Sequence, residues 1–137
     1  QVLLSVREAE RALDLSSTFF AASAIPEQQR YTLYYEPVRE SAASALLQSE
    51  ELRQLFDRVM FELNMEYREK RKSGRLFEPS CEVLRPGTLE ALRGHWIASG
   101  KYDAQFKVPV LFYANDFDFD FSSHLLCAES ESLRVLV

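Results

Sequence analysis

The chain has 137 residues, enough for one domain of ordinary size and too few for two. Apolar residues make up 47% and charged residues 27%, which excludes a charge-rich, core-poor disordered segment. Sixteen Lys and Arg against 21 Asp and Glu leave a net charge of -5, which disfavours broad attachment to nucleic acid or to an anionic membrane.

The apolar stretches around Phe19 to Ile25 and Val108 to Ala114 fall far short of the roughly 20 residues a membrane-spanning helix needs. The chain opens on Gln1 rather than Met, with no charged-then-apolar signal layout, so a piece of a longer polypeptide is expected. Cys81 and Cys127 show no pairing spacing, which points to free thiols and a cytoplasmic protein.

Val2, Leu3, Leu4 and Val6 form a short apolar run that predicts a strand ending near Arg7. Glu8 to Leu15 predicts a short helix with Ala9, Ala12 and Leu13 at helical spacing, interrupted by Ser16 to Thr18. Phe19 to Ile25 and the Tyr-rich Arg30 to Val38 predict two strands joined by a polar turn at Pro26 to Gln29, together a hairpin. Ser41 to Gln48 is undecided between loop and helix.

Ser49 opens the clearest element. It is placed to cap a helix, Glu50 and Glu51 suit the positive end of the dipole, and Leu52, Leu55, Phe56, Val59, Met60 and Leu63 recur on one face. The helix is expected to fray near Ser73 and stop at Gly74. Cys81 to Arg85 predicts a strand ended by Pro86 and Gly87, after which Thr88 caps a helix carrying Leu89, Leu92 and Trp96 and stopping at Gly100. Lys101 to Gln105 reads as a loop, and Pro109 makes any strand over Val108 to Tyr113 irregular or an edge strand. The order fits an open α+β sandwich, a small mixed sheet with helices packed on one face. Nothing in it repeats or divides the domain.

Glycine occurs only at positions 74, 87, 94 and 100, so neither a dinucleotide-binding nor a Walker phosphate-binding loop can be written. No zinc or metalloprotease spacing exists, and no metal site is expected. His95, beside Trp96, reads as a packing or surface residue rather than a catalytic base. Asp116, Asp118 and Asp120 match the opening of a calcium loop, but Phe121 and Cys127 stand where that loop needs Gly and Glu. The alternative is an extended tail with Phe117, Phe119 and Phe121 on one side and carboxylates in water. Arg68, Lys70, Arg71, Lys72 and Arg75 crowd the end of the long helix. They suit a solvated helix C-terminus, and Arg71, Lys72 and Arg75 are also weak candidates for binding phosphate or an acidic partner.

A series of landmarks in fixed order carries a resemblance. Tyr67, Lys72-Ser73-Gly74-Arg75-Leu76, Glu82-Val83, Pro86-Gly87-Thr88-Leu89, Gly100 and Gln105-Phe106-Lys107-Val108-Pro109 resemble the C-terminal domain of the Gretchen Hagen (auxin-responsive) acyl-acid amido synthetases. Val2-Leu3-Leu4-Ser5 is similar to the strand that opens that domain after the hinge, and Tyr31 to Glu36 to its hairpin strand. The likeness runs over roughly residues 1 to 112. A lid-type domain is expected over residues 1–113, with an atypical tail of no assigned role over residues 114–137.

The resemblance implies membership of the adenylate-forming superfamily. Such enzymes activate a carboxylic acid with ATP as an acyl-adenylate, release pyrophosphate, and pass the acyl group to an amine, usually that of an amino acid. It implies that ATP with magnesium is bound mainly by the N-terminal adenylation domain of the same polypeptide, and not by this chain alone, which would be the swinging lid. By its match to the family's lysine-before-proline motif, Lys107 would meet phosphate on closure. Val110 departs from the family, which commonly has Arg after that proline. A noncatalytic interaction module derived from the lid is the alternative reading.

Overall fold

The computed structural model describes residues 1–102, 106, 110–113 and 118–126. The elements in chain order are α1 (Val2–Leu13), β1 (Ser17–Ile25), β2 (Arg30–Pro37), α2 (Ala42–Leu47), α3 (Ser49–Leu63), α4 (Met65–Lys72), β3 (Ser80–Val83), α5 (Thr88–Ala98) and β4 (Leu111–Tyr113). Four strands form one open mixed sheet in the order β3-β2-β1-β4. β1 and β2 are the antiparallel hairpin, with Ala21 opposite Tyr34, while β3 runs parallel to β2 and β4 parallel to β1. The fold is α+β, as the order of elements predicts.

The opening of the chain differs from expectation. Val2 to Val6 is not a strand but the first turns of α1. A short apolar run fits a strand or a buried helix equally well, and burial here follows the helical period: Val2, Ser5, Val6 and Ala9 are buried while Leu3 and Leu4 face outward. α1 ends at Asp14, whose φ of 55° turns the chain into β1. The undecided stretch resolves as α2.

The long helix is two helices. Asn64 leaves helical geometry at φ -125° and ψ 113°, ends α3, and accepts from the Tyr67 N–H to start α4. Gln48, not Ser49, occupies the cap position of α3, and no side chain caps it. Gly74 takes the positive φ expected of a chain leaving a helix, 78°.

The sheet separates two apolar clusters. On one face, Phe20, Ala22, Leu33, Tyr35 and Val83 pack with Val6 and Ala9 of α1 and Leu52, Phe56 and Met60 of α3. On the other, Phe19, Tyr34 and Phe112 pack with Leu84, with Leu92 of α5, and with Phe119 and Phe121 from beyond β4. Alternation along β1 and β2 sends successive side chains to these two faces. Residues 118–126 therefore close a face of the sheet: Phe121 stacks 4.4 Å from Tyr34, and Leu126 donates its N–H to the Val83 carbonyl at 2.8 Å. Phe119 and Phe121 turn inward there, while Asp118 and Asp120 stay exposed.

Candidate functional site

The C-terminal end of α4 gathers three of the candidate residues. Asp57 on α3 reaches across the Asn64 break and takes Arg71 in a fork, from Nε at 3.0 Å and Nη2 at 2.6 Å. The same carboxylate accepts from the Tyr67 hydroxyl at 2.5 Å. Burial pushes the Asp57 carboxyl up, but the Arg71 guanidinium and the Tyr67 hydroxyl outweigh it and hold the group below the usual carboxylate range. Tyr67 is itself pushed up, chiefly by burial and then by Asp57, so it stays a donor. Arg71 is thus committed within the domain. Lys72 lies 5.9 Å from the Phe61 ring centre, and Arg75 donates from Nε to Ser73 Oγ at 2.9 Å, both toward solvent.

Lys107 lies outside the described residues, as do Val108, Pro109, Asp116 and Cys127. The structure does describe α5, which precedes that stretch in sequence. α5 begins at Gly87, which has φ 100° and no side chain to cap the helix. Thr88, expected as the cap, instead donates its hydroxyl back to the Arg85 carbonyl at 2.6 Å. The capping carboxylate comes from far away in sequence. Glu36 at the end of β2 accepts from the Gly87 N–H at 3.0 Å and from the Leu89 N–H at 2.6 Å, one through each carboxylate oxygen. Glu36 is only 2% exposed. Burial pushes its carboxyl up, against the pull of the two amides and of the Thr18 hydroxyl. No sequence-local signal marks this cap, because the partners are brought together only by the sheet.

At the other end of α5, Trp96 Nε1–H donates to the Tyr102 carbonyl at 3.0 Å, and the Lys101 ammonium stands 4.3 Å above the Trp96 ring. The chain leaving α5 is folded back on its last turn. His95 sits 3.8 Å from Asp118 and edge-on to Phe119, a surface residue beside the aromatic cluster. Asp120 accepts from the Ser122 N–H at 3.1 Å, closing a turn. Among the described residues no group of three His, Cys, Asp or Glu side chains is placed to hold a metal ion. No helix among them is long and apolar enough to cross a membrane.

Val110 and Leu111 form one wall of a cleft of about 310 Å³ between the start of α1, the α3–α4 junction and β4, with Tyr31, Met60, Tyr67 and Lys70 across from them. The Val110 carbonyl accepts from the Ala22 N–H at 2.7 Å. Val110 thus sets an apolar side chain against a cleft of mixed lining, with Gln1, Asn64, Glu66 and Lys70 among its polar residues.

Residues 1–116 match the family described as GH3 family C-terminal domain. The chain belongs to the GH3 family. This GH3 domain is similar in fold to a solved structure titled GH3.15 acyl acid amido synthetase, at 18% identity and a TM-score of 0.68, covering 92% of this chain and 24% of that one. A second, titled AtGH3.15 acyl acid amido synthetase in complex with 2,4-DB, is 19% identical with a TM-score of 0.58 over 98% of this chain and 22% of that one. The GH3 domain therefore spans about a quarter of the length of the solved proteins it resembles. No curated protein matches it.

Proposed function

We propose that this GH3 C-terminal domain is the lid of an ATP-dependent acyl-acid amido synthetase, which forms an acyl-adenylate and passes the acyl group to the amine of an amino acid. The family match over residues 1–116 is the observation that carries the reading. The domain acts only when joined to the N-terminal adenylation domain of the same polypeptide, which holds ATP, magnesium and the carboxylic acid; the four glycines of this chain form no phosphate-binding loop. The enzyme works in the cytoplasm, with Cys81 as a free, partly buried thiol.

As the carboxylate attacks the α-phosphate, negative charge grows on the phosphoryl oxygens and on departing pyrophosphate. A cation delivered by closure therefore favours the transition state over the open ground state. We assign that cation to Lys107, a compact charge on a flexible stem. Lys72 and Arg75 are the further candidates for a phosphate or partner contact, since Asp57 already fills the fork of Arg71.

The isolated chain, given ATP, magnesium and a panel of carboxylic acids, releases no pyrophosphate on this reading; turnover by the fragment overturns it. In the full-length polypeptide, Lys107→Ala slows adenylation with little change in ATP affinity, and an unchanged rate removes Lys107 from the mechanism. Val110 favours one second reading, an interaction module that has kept the lid architecture and lost the chemistry. A full-length polypeptide without a phosphate loop and without pyrophosphate release establishes that alternative.

A further inference from the structure

We propose that the corner of the domain around Gln1, where Leu3, Leu4, Met65, Leu111 and Tyr113 stand exposed, is the surface that docks against the N-terminal domain of the same polypeptide. The cleft of about 310 Å³ within it takes an apolar side chain of that domain. This rests on the lid reading above.

The helical layer stops short of β4. Leu111 pairs with Ala22 and Tyr113 with Ala24, so both point to the face of the sheet that α1 and α3 cover, while Phe112 turns to the other. Ala22 is fully buried there, yet Leu111 is 50% exposed and Tyr113 61%. The cleft is the gap between this uncovered strip and the helices. Ala22, Phe56 and Met60 line it from the core, and its charged residues, Glu66 and Lys70, both belong to α4. Leu3 joins the lining, Met65 lies between the lining residues Asn64 and Glu66, and Leu4 carries the apolar surface on beside Leu63 and Val59. Leu47 at the end of α2 and Phe77 beneath Arg30 are exposed too, but on separate elements. Scattered apolar residues are ordinary, whereas a continuous apolar surface around a pocket is what a protein partner anchors on.

The occupant follows from where the polypeptide enters. Gln1 lines the cleft, and its side chain is held on the α3–α4 junction, accepting from Asn64 Nδ2 at 2.6 Å and donating to the Leu63 carbonyl at 3.4 Å. On the lid reading the N-terminal domain is joined through this residue, and the solved proteins that the domain resembles are about four times its length. A body tethered beside an apolar corner meets it at an effective concentration of about millimolar, so it stays seated without high intrinsic affinity. With one carboxylate and one ammonium in the cleft, the corner favours a charge-poor face over an acidic or basic segment.

The test is hydroxyl-radical footprinting of the full-length polypeptide, with each side chain's oxidation rate divided by its rate in the urea-unfolded chain. Met65 and Tyr113 are expected to react at least about tenfold more slowly than Leu47, which is 81% exposed, because the contact excludes water. Leu111→Asp, at an exposed position that folding tolerates, raises the Met65 rate toward that of Leu47, and Leu47→Asp does not. Should Leu111→Asp fail to fold, Tyr113→Asp takes its place. Rates at Met65 and Tyr113 equal to that at Leu47, or a Met65 rate unmoved by the new charge on β4, overturn the docking. Protection that is lost on dilution, with a dimer in sedimentation, assigns the corner to a second copy and overturns it as well. Protection in a polypeptide that releases no pyrophosphate from ATP and carboxylic acids overturns the lid reading while the docking stands. Exposure in a polypeptide that does release it overturns the docking alone.

Discussion

Asp57 and Arg71 face each other across the break between α3 and α4 and are joined by two parallel hydrogen bonds of 3.0 and 2.6 Å. Both side chains are mostly shielded from water, and Tyr67 completes the carboxylate's set of donors. The pair replaces the helical continuity that Asn64 removes. Arg71→Ala should lower the stability of the chain by about 1.5 to 3 kcal/mol, since it strips a charged partner from a shielded carboxylate. Thermal unfolding checks this as a drop of several degrees. Lys72→Ala, whose side chain only overlies Phe61, should leave the midpoint nearly in place.

The same carboxylate predicts an acid limb. Its folded-state pKa lies below the ordinary aspartate value of 3.8, so its contribution is fully present above that value and is lost as pH falls through the folded-state pKa. Asp57→Asn should therefore flatten the loss of stability below about pH 4 relative to the parent sequence. Unfolding midpoints measured across that range decide the matter; an equal slope in both proteins rejects it.

Tyr35 is fully buried in the main cluster and donates to Glu10 Oε2 at 2.6 Å, while Arg7 holds the other oxygen at 2.6 Å. Burial first, and Glu10 next, push the phenol up, so it remains a donor throughout the working range. Tyr35→Phe preserves the ring and orphans a carboxylate oxygen in a residue that is 6% exposed, which should cost about 1 to 3 kcal/mol. Urea unfolding with an unchanged slope and a lower midpoint is the expected result.

Phe121 lies under the sheet against Tyr34, Phe19, Phe112 and Phe119. Phe121→Ala should cost about 3 to 5 kcal/mol, the usual loss for truncating a buried ring. A cost near zero in urea unfolding would mean that residues 118–126 add nothing to the second apolar layer.

Much of this fold is written in local signals. The hairpin of β1 and β2 follows from β-branched and aromatic runs around Pro26, and α3 from a stripe of Leu52, Phe56, Val59 and Met60. What sequence periodicity misreads is the run Val2-Leu3-Leu4, whose apolar density hides a helical burial pattern. The break at Asn64 is also hidden, because the helix-forming composition continues on both sides and only the Asn64 side chain's bond to Tyr67 N–H marks it. Glu36 is the clearest case: a carboxylate ending a strand carries no hint of the helix N-terminus it serves, since that pairing exists only once β2 and α5 are side by side. The aromatic alternation after Asn115 is legible as inward and outward faces, but not what the inward face meets.

Because the sheet carries an apolar layer on each side, neither of its broad faces is a free platform for a larger neighbour to rest on. A contacting body must meet this domain along the rim at β4 or on the outer backs of its helices, where Leu3, Leu4, Met65, Leu111 and Tyr113 already stand in water.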